Sequence, residues 1–362
     1  MKKFLIIEGC NFIDYPVGGQ LTFAKQLIQV YGEDLHLVGV TCRTDVPIGK
    51  WIKLKINDKE LDFFAFRRIS FVGKKPIIPA RISDFLAIRK YKNQIIKKNR
   101  NAITQAPELL IAIKDWQWES LCYRFPGVEN PLRMPRYQWG KIFASLFDKQ
   151  LFRALKKVNL ILASADKKAI HNLVKRSNKA LNREQIHQFP TRVDTNVFKP
   201  VEVDKSRDLE INHSDLILVS CGRINLVKGW ELILESFKLI REQNTGVQLY
   251  FVGDGEDREK LESKIRSYDL VSSVHITGYQ NSNKVLKWLN IADLILVGSH
   301  KEGWSISMLE SLACGKGIVS TDVSGAQELI SEGKNGYVVQ SRNPLEYAIG
   351  IKKGLELNNT FD

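Results

Sequence analysis

Short β-branched and leucine-rich runs alternate along the chain with longer segments whose apolar positions recur three and four residues apart. In the first half, "KFLIIEG" (3–9), "LHLVGVT" (35–41), "ELLIAIK" (108–114) and "NLILASA" (159–165) are nearly unbroken apolar runs, the pattern of strands buried on both faces. In the second half the same pattern recurs in "LILVSCG" (216–222), "VQLYFVG" (247–253), "VHITG" (274–278), "DLILVGS" (293–299) and "GIVSTD" (317–322). Between such runs, "WELILESFKLIREQ" (230–243) keeps the spacing of an amphipathic helix. Strand–helix alternation with continuous apolar strands predicts parallel sheets covered on both faces. Two series of this kind predict an α/β chain of two Rossmann-like doubly wound domains facing a cleft. "NLILAS" (159–164) and "DLILVGS" (293–299), apolar strands ending in serine near the end of each half, are a weak internal echo in keeping with that reading.

The polar, aperiodic stretch "TRVDTNVFKPVEVDKSRDLEINHSD" (191–215), with Pro200 inside it, is the expected boundary. This gives a first domain over 1–200, a second over 201–345, and a C-terminal helix over 346–362 that is free to cross back to the first. The 362 residues suit two cores better than one. A hydrophobic share of 44% and a charged share of 26% are those of an ordinary globular protein. "MKKFLIIEGC" opens like a secretory signal, but its apolar run stops at Glu8, short of the ~7–15 residues such a core needs. No run approaches the ~18 apolar residues of a membrane span. Five scattered cysteines without a CxxC pair argue for a reducing, cytoplasmic setting and against a disulfide framework or zinc site.

Charge is divided unevenly. Residues 1–200 hold 36 Lys/Arg against 17 Asp/Glu, whereas 201–362 hold 18 against 23. The excess peaks at 63–100, where eleven cations and a single acid, Asp84, are interleaved with aromatic and aliphatic residues. Such a segment suits an anionic membrane surface or a lipid-linked phosphate; a solvated helix face is the alternative.

Several loops carry residues suited to phosphate and sugar chemistry. "LILVSCG" runs into "GRINLVKGW", placing Gly222, Arg223 and Lys228 between a strand and a helix. Glycines let backbone approach a phosphate, arginine grips it in a fork, and lysine adds a point charge. Surface cations beside a tight turn would look the same. In "VGDGEDREKL", Gly253 and Gly255 begin a dinucleotide fingerprint whose third position is Arg258, which excludes a nicotinamide site but leaves close backbone approach to a nucleoside open. The chain contains no DxD, so a sugar nucleotide would be held by cations and helix dipoles without a carboxylate-bound metal. In "SHKEGWSISMLESLACGKG" (299–317), Glu302 and Glu310 are separated by seven residues. Glu302 falls on a loop at the carboxyl edge of the sheet, and "SMLE" (307–310) also fits a capping box from Ser307 to Glu310. In the first half, Gly18 and Gly19 of "DYPVGGQLTFAKQLI" (14–28) form either a simple strand-to-helix turn or backbone amides facing an anion across the cleft.

"GRINLVKG", "VGDGEDREKL", "HITGY" and "SHKEGWSISMLESLACGKGIVSTDVSGAQELISEGKNGYVV", in this order, resemble the GT-B glycosyltransferases. Within them the likeness is to the large retaining family marked by E-x7-E (glycosyltransferase family 4, glycosyl transferases group 1). It is strong over 216–340; in 1–215 it rests on the Gly18–Gly19 turn and on "VDTNVFKP" (193–200). The resemblance implies an acceptor-binding first domain and a second domain that binds a nucleotide-sugar such as a UDP- or GDP-sugar, with no other cofactor and no metal. Arg223 and Lys228 would bind the donor diphosphate, Glu310 the ribose hydroxyls, and Tyr279 would lie near the base. Glu302 would contact the transferred sugar, with the amides of Gly303, Trp304, Ser305 and Ile306 near sugar and phosphate, and Gly18 and Gly19 would approach the diphosphate from the other domain. Glu302, Arg223 and Lys228 are thus the expected catalytic group.

Three positions depart from the family. The histidine often found in the first domain is missing from "CYRFPGVENPLRMPRYQWG" (122–140), where Asn130, Arg133 and Arg136 are the candidates to replace it. Thr191–Arg192 stands where asparagine–glycine is usual, and a usual proline is replaced near Lys316–Gly317. The expected protein is a cytoplasmic retaining hexosyltransferase, peripheral on the inner face of the membrane through 63–100. It would extend a saccharide or lipid-linked saccharide in the assembly of capsule, O-antigen or exopolysaccharide. A phosphorylase or nucleotide-sugar epimerase of the same architecture is the rival. Nucleic-acid binding would explain a pI near 9.4 but not the glutamates and glycine loops of the acidic half.

Overall fold

The computed structural model describes residues 3–13, 19–56, 59–69, 79–133, 138–211 and 215–358. The chain divides into two compact units, Met1–Pro190 and Thr191–Asp362.

In the first unit the strands are β1 (Phe4–Ile7), β2 (Leu35–Thr41), β3 (Trp51–Ile56), β4 (Lys59–Arg68), β5 (Asn101–Thr104), β6 (Ser120–Phe125), β7 (Leu160–Ala163) and β8 (Ile186–Gln188). The helices are α1 (Gly19–Tyr31), α2 (Ala80–Ile88), α3 (Lys92–Lys98), α4 (Pro107–Ile113), α5 (Ala144–Leu155) and α6 (Lys167–Arg176). The sheet runs β3-β4-β2-β1-β5-β6-β7-β8. At its edge β3 runs antiparallel to β4. α1 covers one face with Leu21, Phe23, Ala24 and Ile28. α2 to α6 cover the other, burying among others Ile88, Ile95, Leu110, Phe152 and Ile170.

The second unit holds β9 (Leu216–Cys221), β10 (Val247–Val252), β11 (Val274–Ile276), β12 (Leu294–Val297), β13 (Ile318–Thr321) and β14 (Gly336–Val339). Its helices are α7 (Lys205–Leu209), α8 (Trp230–Arg241), α9 (Arg258–Ser267), α10 (Ser282–Ile291), α11 (Ile306–Ala313), α12 (Ala326–Leu329) and α13 (Pro344–Asn358). The sheet is parallel throughout in the order β11-β10-β9-β12-β13-β14, which is 3-2-1-4-5-6 within the unit, the Rossmann arrangement. All six residues of β10 are buried, because helices cover both faces and leave no polar side. α8 obeys its helical pattern, burying Trp230, Ile233, Leu234, Phe237 and Ile240.

Two expectations change. "ELLIAIK" (108–114) is helix α4 rather than a strand. Pro107 pre-sets the first turn, and Leu109, Leu110 and Ile113 are fully buried with Ile111 and Ala112 packed beside them. An apolar run buried all round has no periodicity to betray it, and the strand of this region is the short β5 before it. The division also falls at 190/191 rather than 200/201. Phe198 is buried in the second unit's core, and the Val201 amide donates to Asn290 Oδ1 at 2.9 Å. The last helix, α13, packs against α8 and along β12, β13 and β14.

Candidate active site

In an open parallel sheet, a crevice forms where the strand order reverses, because the chain leaves neighbouring strands in opposite directions. In the second unit that point lies between β9 and β12. A crevice open to solvent occurs there, lined by residues 220–224, Lys228, Trp230, Phe251, residues 296–299 and Ser307.

The loop after β9 is shaped by its glycines and one asparagine. Gly222 has φ +147°, which other residues rarely adopt. Asn225 Oδ1 accepts from the Lys228 amide at 3.0 Å and closes a 3-10 turn over Leu226–Lys228. Gly229 then enters α8 at φ +66°, and a Cβ there would stand 1.8 Å from the Gly298 carbonyl oxygen. The two loops flanking the switch point therefore touch backbone to backbone. Gly253 plays a related part from behind, outside the cavity lining: its φ is +152° and a Cβ would come 2.0 Å from the Gly222 carbonyl oxygen. The need for glycine at 253 is thus explained by loop packing.

This packing presents the charged residues. Lys228 Nζ donates to Glu302 Oε1 at 2.7 Å, and Ser299 Oγ donates to the same oxygen at 2.6 Å. The Glu302 side chain is 12% exposed and that of Lys228 35%. Ser299 is itself pinned: its carbonyl accepts from Thr321 Oγ1 at 2.7 Å and from an Arg342 guanidinium nitrogen at 3.0 Å, and the same nitrogen reaches the Gly298 carbonyl at 3.0 Å. Arg223 is exposed on the cavity wall.

The capping box that is the alternative reading of Ser307 and Glu310 does not form. The N-cap of α11 is Ser305, whose hydroxyl accepts from the Met308 amide and lies 3.0 Å from Ser307 Oγ. Position 310 therefore falls past the first turn, out of reach of the cap. Glu310 instead stands half-buried near Cys221 at the end of β9, and burial alone pushes its carboxyl up to about 7. Trp304 packs against Gly325, where a Cβ would be 3.0 Å from the ring, and its indole N–H has no hydrogen-bond partner among the described residues. Gly303 and Ser305 complete the link from β12 to α11, which begins at Ile306.

The structure thus brings Gly222, Arg223, Lys228 and Glu302 to one crevice, with α11 beginning beside it. Tyr279 is 59% exposed in the turn after β11, the edge strand. Gly19 opens α1 in the first unit. Gly18 and Arg136 lie outside the described residues, as do positions 70–78 of the basic segment. Asn130 is buried, donates to the Ala144 carbonyl and accepts from the Leu132 amide, so its side chain is engaged within the fold. Arg133 is exposed.

Sequence reasoning missed Ser299, Thr321 and Arg342, which fix Glu302, and a buried group at the first unit's own switch point, between β1 and β5. There Glu8 Oε1 accepts from the Gln105 amide at 2.7 Å and from Gln105 Nε2 at 3.3 Å, and Gln105 Oε1 accepts from Arg124 Nη1 at 2.5 Å. The Arg124 guanidinium lies 4.2 Å from the centre of the Phe23 ring on α1. Burial pushes the Glu8 carboxyl up to about 8, against the pull of its bonds to Gln105. Glu8 ends a strand run in sequence, and only the strand order shows that it faces Gln105.

Two doubly wound units in series, one carrying a Glu–Lys pair at a Rossmann switch point, are the architecture of GT-B glycosyltransferases. Residues 202–360, which lie in the second unit, match the sequence model of the family described as glycosyl transferases group 1. An uncharacterized glycosyltransferase of Methanocaldococcus jannaschii is 30% identical over 172 residues, covering 45% of this chain and 44% of its own length. The poly(glycerol-phosphate) alpha-glucosyltransferase of Bacillus subtilis is 29% identical over 173 residues, 45% of this chain and 25% of its own length. The alignments therefore span less than half of either relative. Among solved structures, sucrose-phosphate synthase from Thermosynechococcus elongatus superposes with a TM-score of 0.76 at 15% identity, covering 99% of this chain and 94% of its own. HepE from Anabaena, solved in complex with UDP-glucose, gives 0.69 at 15% identity over 98% of this chain and 92% of its own. These likenesses establish the GT-B fold of the whole chain.

Among the described residues no helix is long and apolar enough to cross a membrane, and no cluster of three His, Cys, Asp or Glu is placed to hold a metal ion.

Proposed function

We propose that the protein is a retaining glycosyltransferase that moves a hexose from a nucleotide-sugar to a saccharide or lipid-linked saccharide during assembly of a cell-surface polysaccharide. The observation that carries this reading is the Lys228–Glu302 pair at 2.7 Å, held at the switch point beside the exposed Arg223. Cations at that place suit a leaving diphosphate, and the N-terminus of α11 adds partial positive charge. A carboxylate among them suits sugar hydroxyls, which donate to it. Glu310, with no competing hydrogen bond within its helix cap, takes the ribose hydroxyls; Tyr279 and the amides of residues 303–306 complete the donor site.

The acceptor oxygen then forms its bond to the anomeric carbon on the face the diphosphate leaves. The sugar–phosphate bond breaks, and a phosphate oxygen takes the acceptor proton, so that configuration is kept. Arg223 and Lys228 neutralise the diphosphate in place of a metal ion. That HepE was solved with UDP-glucose makes a UDP-sugar the first donor to try, with GDP-sugars next. The basic segment 63–100 makes a peripheral contact with the inner face of an anionic membrane, where a lipid-linked acceptor would lie. The test is transfer of labelled sugar from UDP- and GDP-sugars to lipid-linked saccharide. Acceptor-dependent product that keeps the donor's anomeric configuration supports the reading. Inverted product, phosphorolysis or epimerised donor without transfer overturns it.

A further inference from the structure

Among the described residues of the first unit, two helices expose apolar side chains. In the turn before α5 and along that helix, Ile142 is 80% exposed, Phe143 52% and Leu146 56%, while Leu151, Phe152 and Leu155 are buried. Positions 142, 146, 149 and 153 share one helical stripe, whose later members, Lys149 and Arg153, are exposed cations. α2 repeats the design: Ile82 and Leu86 are 48% and 52% exposed, with Arg81, Arg89 and Lys90 exposed around them. Both helices pack against α4 and so lie on the same side of the sheet.

The acids of these helices are removed from that surface. Asp84, the acid of α2, is buried against Arg67 at 2.5 Å, and Asp148, the acid of α5, is buried against Arg176 at 3.5 Å. Small residues such as Ser145 aside, what remains exposed on α2 and α5 is apolar or cationic. Apolar side chains ringed by cations match the boundary of an anionic bilayer, where hydrocarbon meets phosphate. A second copy of the chain would set the same cations face to face, and a nucleic acid would leave the aliphatic side chains without a partner.

We propose that Ile142 and Phe143 of the turn before α5 and Leu146 of α5, with Ile82 and Leu86 of α2, insert into the headgroup boundary of a membrane containing anionic lipid. Lys149, Arg153 and the cations of α2 then sit at the lipid phosphates. The proposal deepens the membrane contact of the proposed function and extends it to α5, outside the basic segment. It does not depend on the donor chemistry.

Co-sedimentation of the full chain with vesicles of phosphatidylcholine, alone or with about 30% phosphatidylglycerol, tests it. The wild type should bind only the anionic vesicles, more weakly as salt rises. Combined Ile142→Ser, Phe143→Ser and Leu146→Ser should lower the partition coefficient at least about tenfold, each lost apolar anchor being worth a few-fold. Lys149→Ala should cost roughly fivefold. Retained binding of UDP or GDP in these variants shows that the second unit is intact; loss of nucleotide binding in the wild type would count against the enzyme reading alone. Absence of wild-type binding to anionic vesicles overturns the proposal, as does unchanged binding by the triple variant. A dimer in solution that the triple substitution dissociates would assign the surface to a second copy and also overturn it.

Discussion

Replacing Glu302 by glutamine separates two quantities that usually fall together. The amide oxygen introduced by Glu302→Gln would still accept from Ser299 Oγ, now 2.6 Å from Glu302 Oε1, so the loop should hold its shape. The charge of Lys228, which the carboxylate neutralises at 2.7 Å, is released. A nucleoside diphosphate at the crevice then meets two free cations, Arg223 and Lys228, instead of about one, and no carboxylate repels it. At a separation of about 5 Å and an effective dielectric of about 20, one unit charge contributes roughly 3 kcal/mol. Lys228 is 35% exposed, and solvent and salt reduce this to about 1–2 kcal/mol, or roughly 5- to 30-fold in affinity. Glu302→Gln should therefore bind UDP or GDP more tightly while losing at least about a hundredfold in transfer, because the carboxylate that would meet the sugar in the transition state of the proposed reaction is gone. Calorimetric titration and a transfer assay on the same preparation read both effects. Weaker or unchanged nucleotide binding would refute the electrostatic argument, and wild-type transfer would refute the role of Glu302.

Two further outcomes follow from the buried acids. Glu310 carries a carboxyl raised by burial to about 7, and in the proposed site ribose hydroxyls would donate to its ionised form, so nucleotide affinity should rise from pH 6 to pH 8. The ionised fraction grows about tenfold over that window, which sets the size of the gain. Glu310→Gln should flatten the profile, and a wild-type affinity independent of pH would exclude the ribose contact. Glu8 is raised to about 8, so the folded protein keeps a proton that the unfolded chain releases above its ordinary value near 4.5. Its contribution to stability is present at low pH and is lost as pH climbs through that interval, by up to a few kcal/mol. Glu8→Gln should raise the melting temperature at pH 8.5 and reduce the slope between pH 5 and 8; an unaltered slope would show that Glu8 is ionised in the fold.

Strand content was most legible where apolar runs were unbroken. β2 and β9 to β13 fall where the pattern placed them, since strands covered on both faces must be apolar throughout. The same rule misled at 108–114, where a helix buried all round gives an identical signal. β8 was illegible: Ile186–Gln188 is three residues long with one side chain fully buried. The charged loop "GRINLVKG" and Glu302 were legible because glycine, arginine and lysine at a strand end have few structural uses together. The hands that hold Glu302 were not: Thr321 and Arg342 come from the ends of β13 and β14, and only the sheet order brings them to Ser299. Likewise, "SMLE" is a sound capping-box signature, yet the helix begins two residues earlier at Ser305, and no local rule chooses between two serines.

In the proposed site, the crevice between β9 and β12 holds a nucleoside diphosphate through Arg223 and Lys228. Calorimetric titration of wild type, Arg223→Ala and Lys228→Ala with UDP, GDP and ADP tests it most directly. The wild type should bind one of the three saturably, and either substitution should weaken that binding at least about tenfold, each removing a charge-assisted contact of about 1.5–3 kcal/mol. Failure of all three to bind at millimolar concentration, or equal binding by Lys228→Ala, would contradict it.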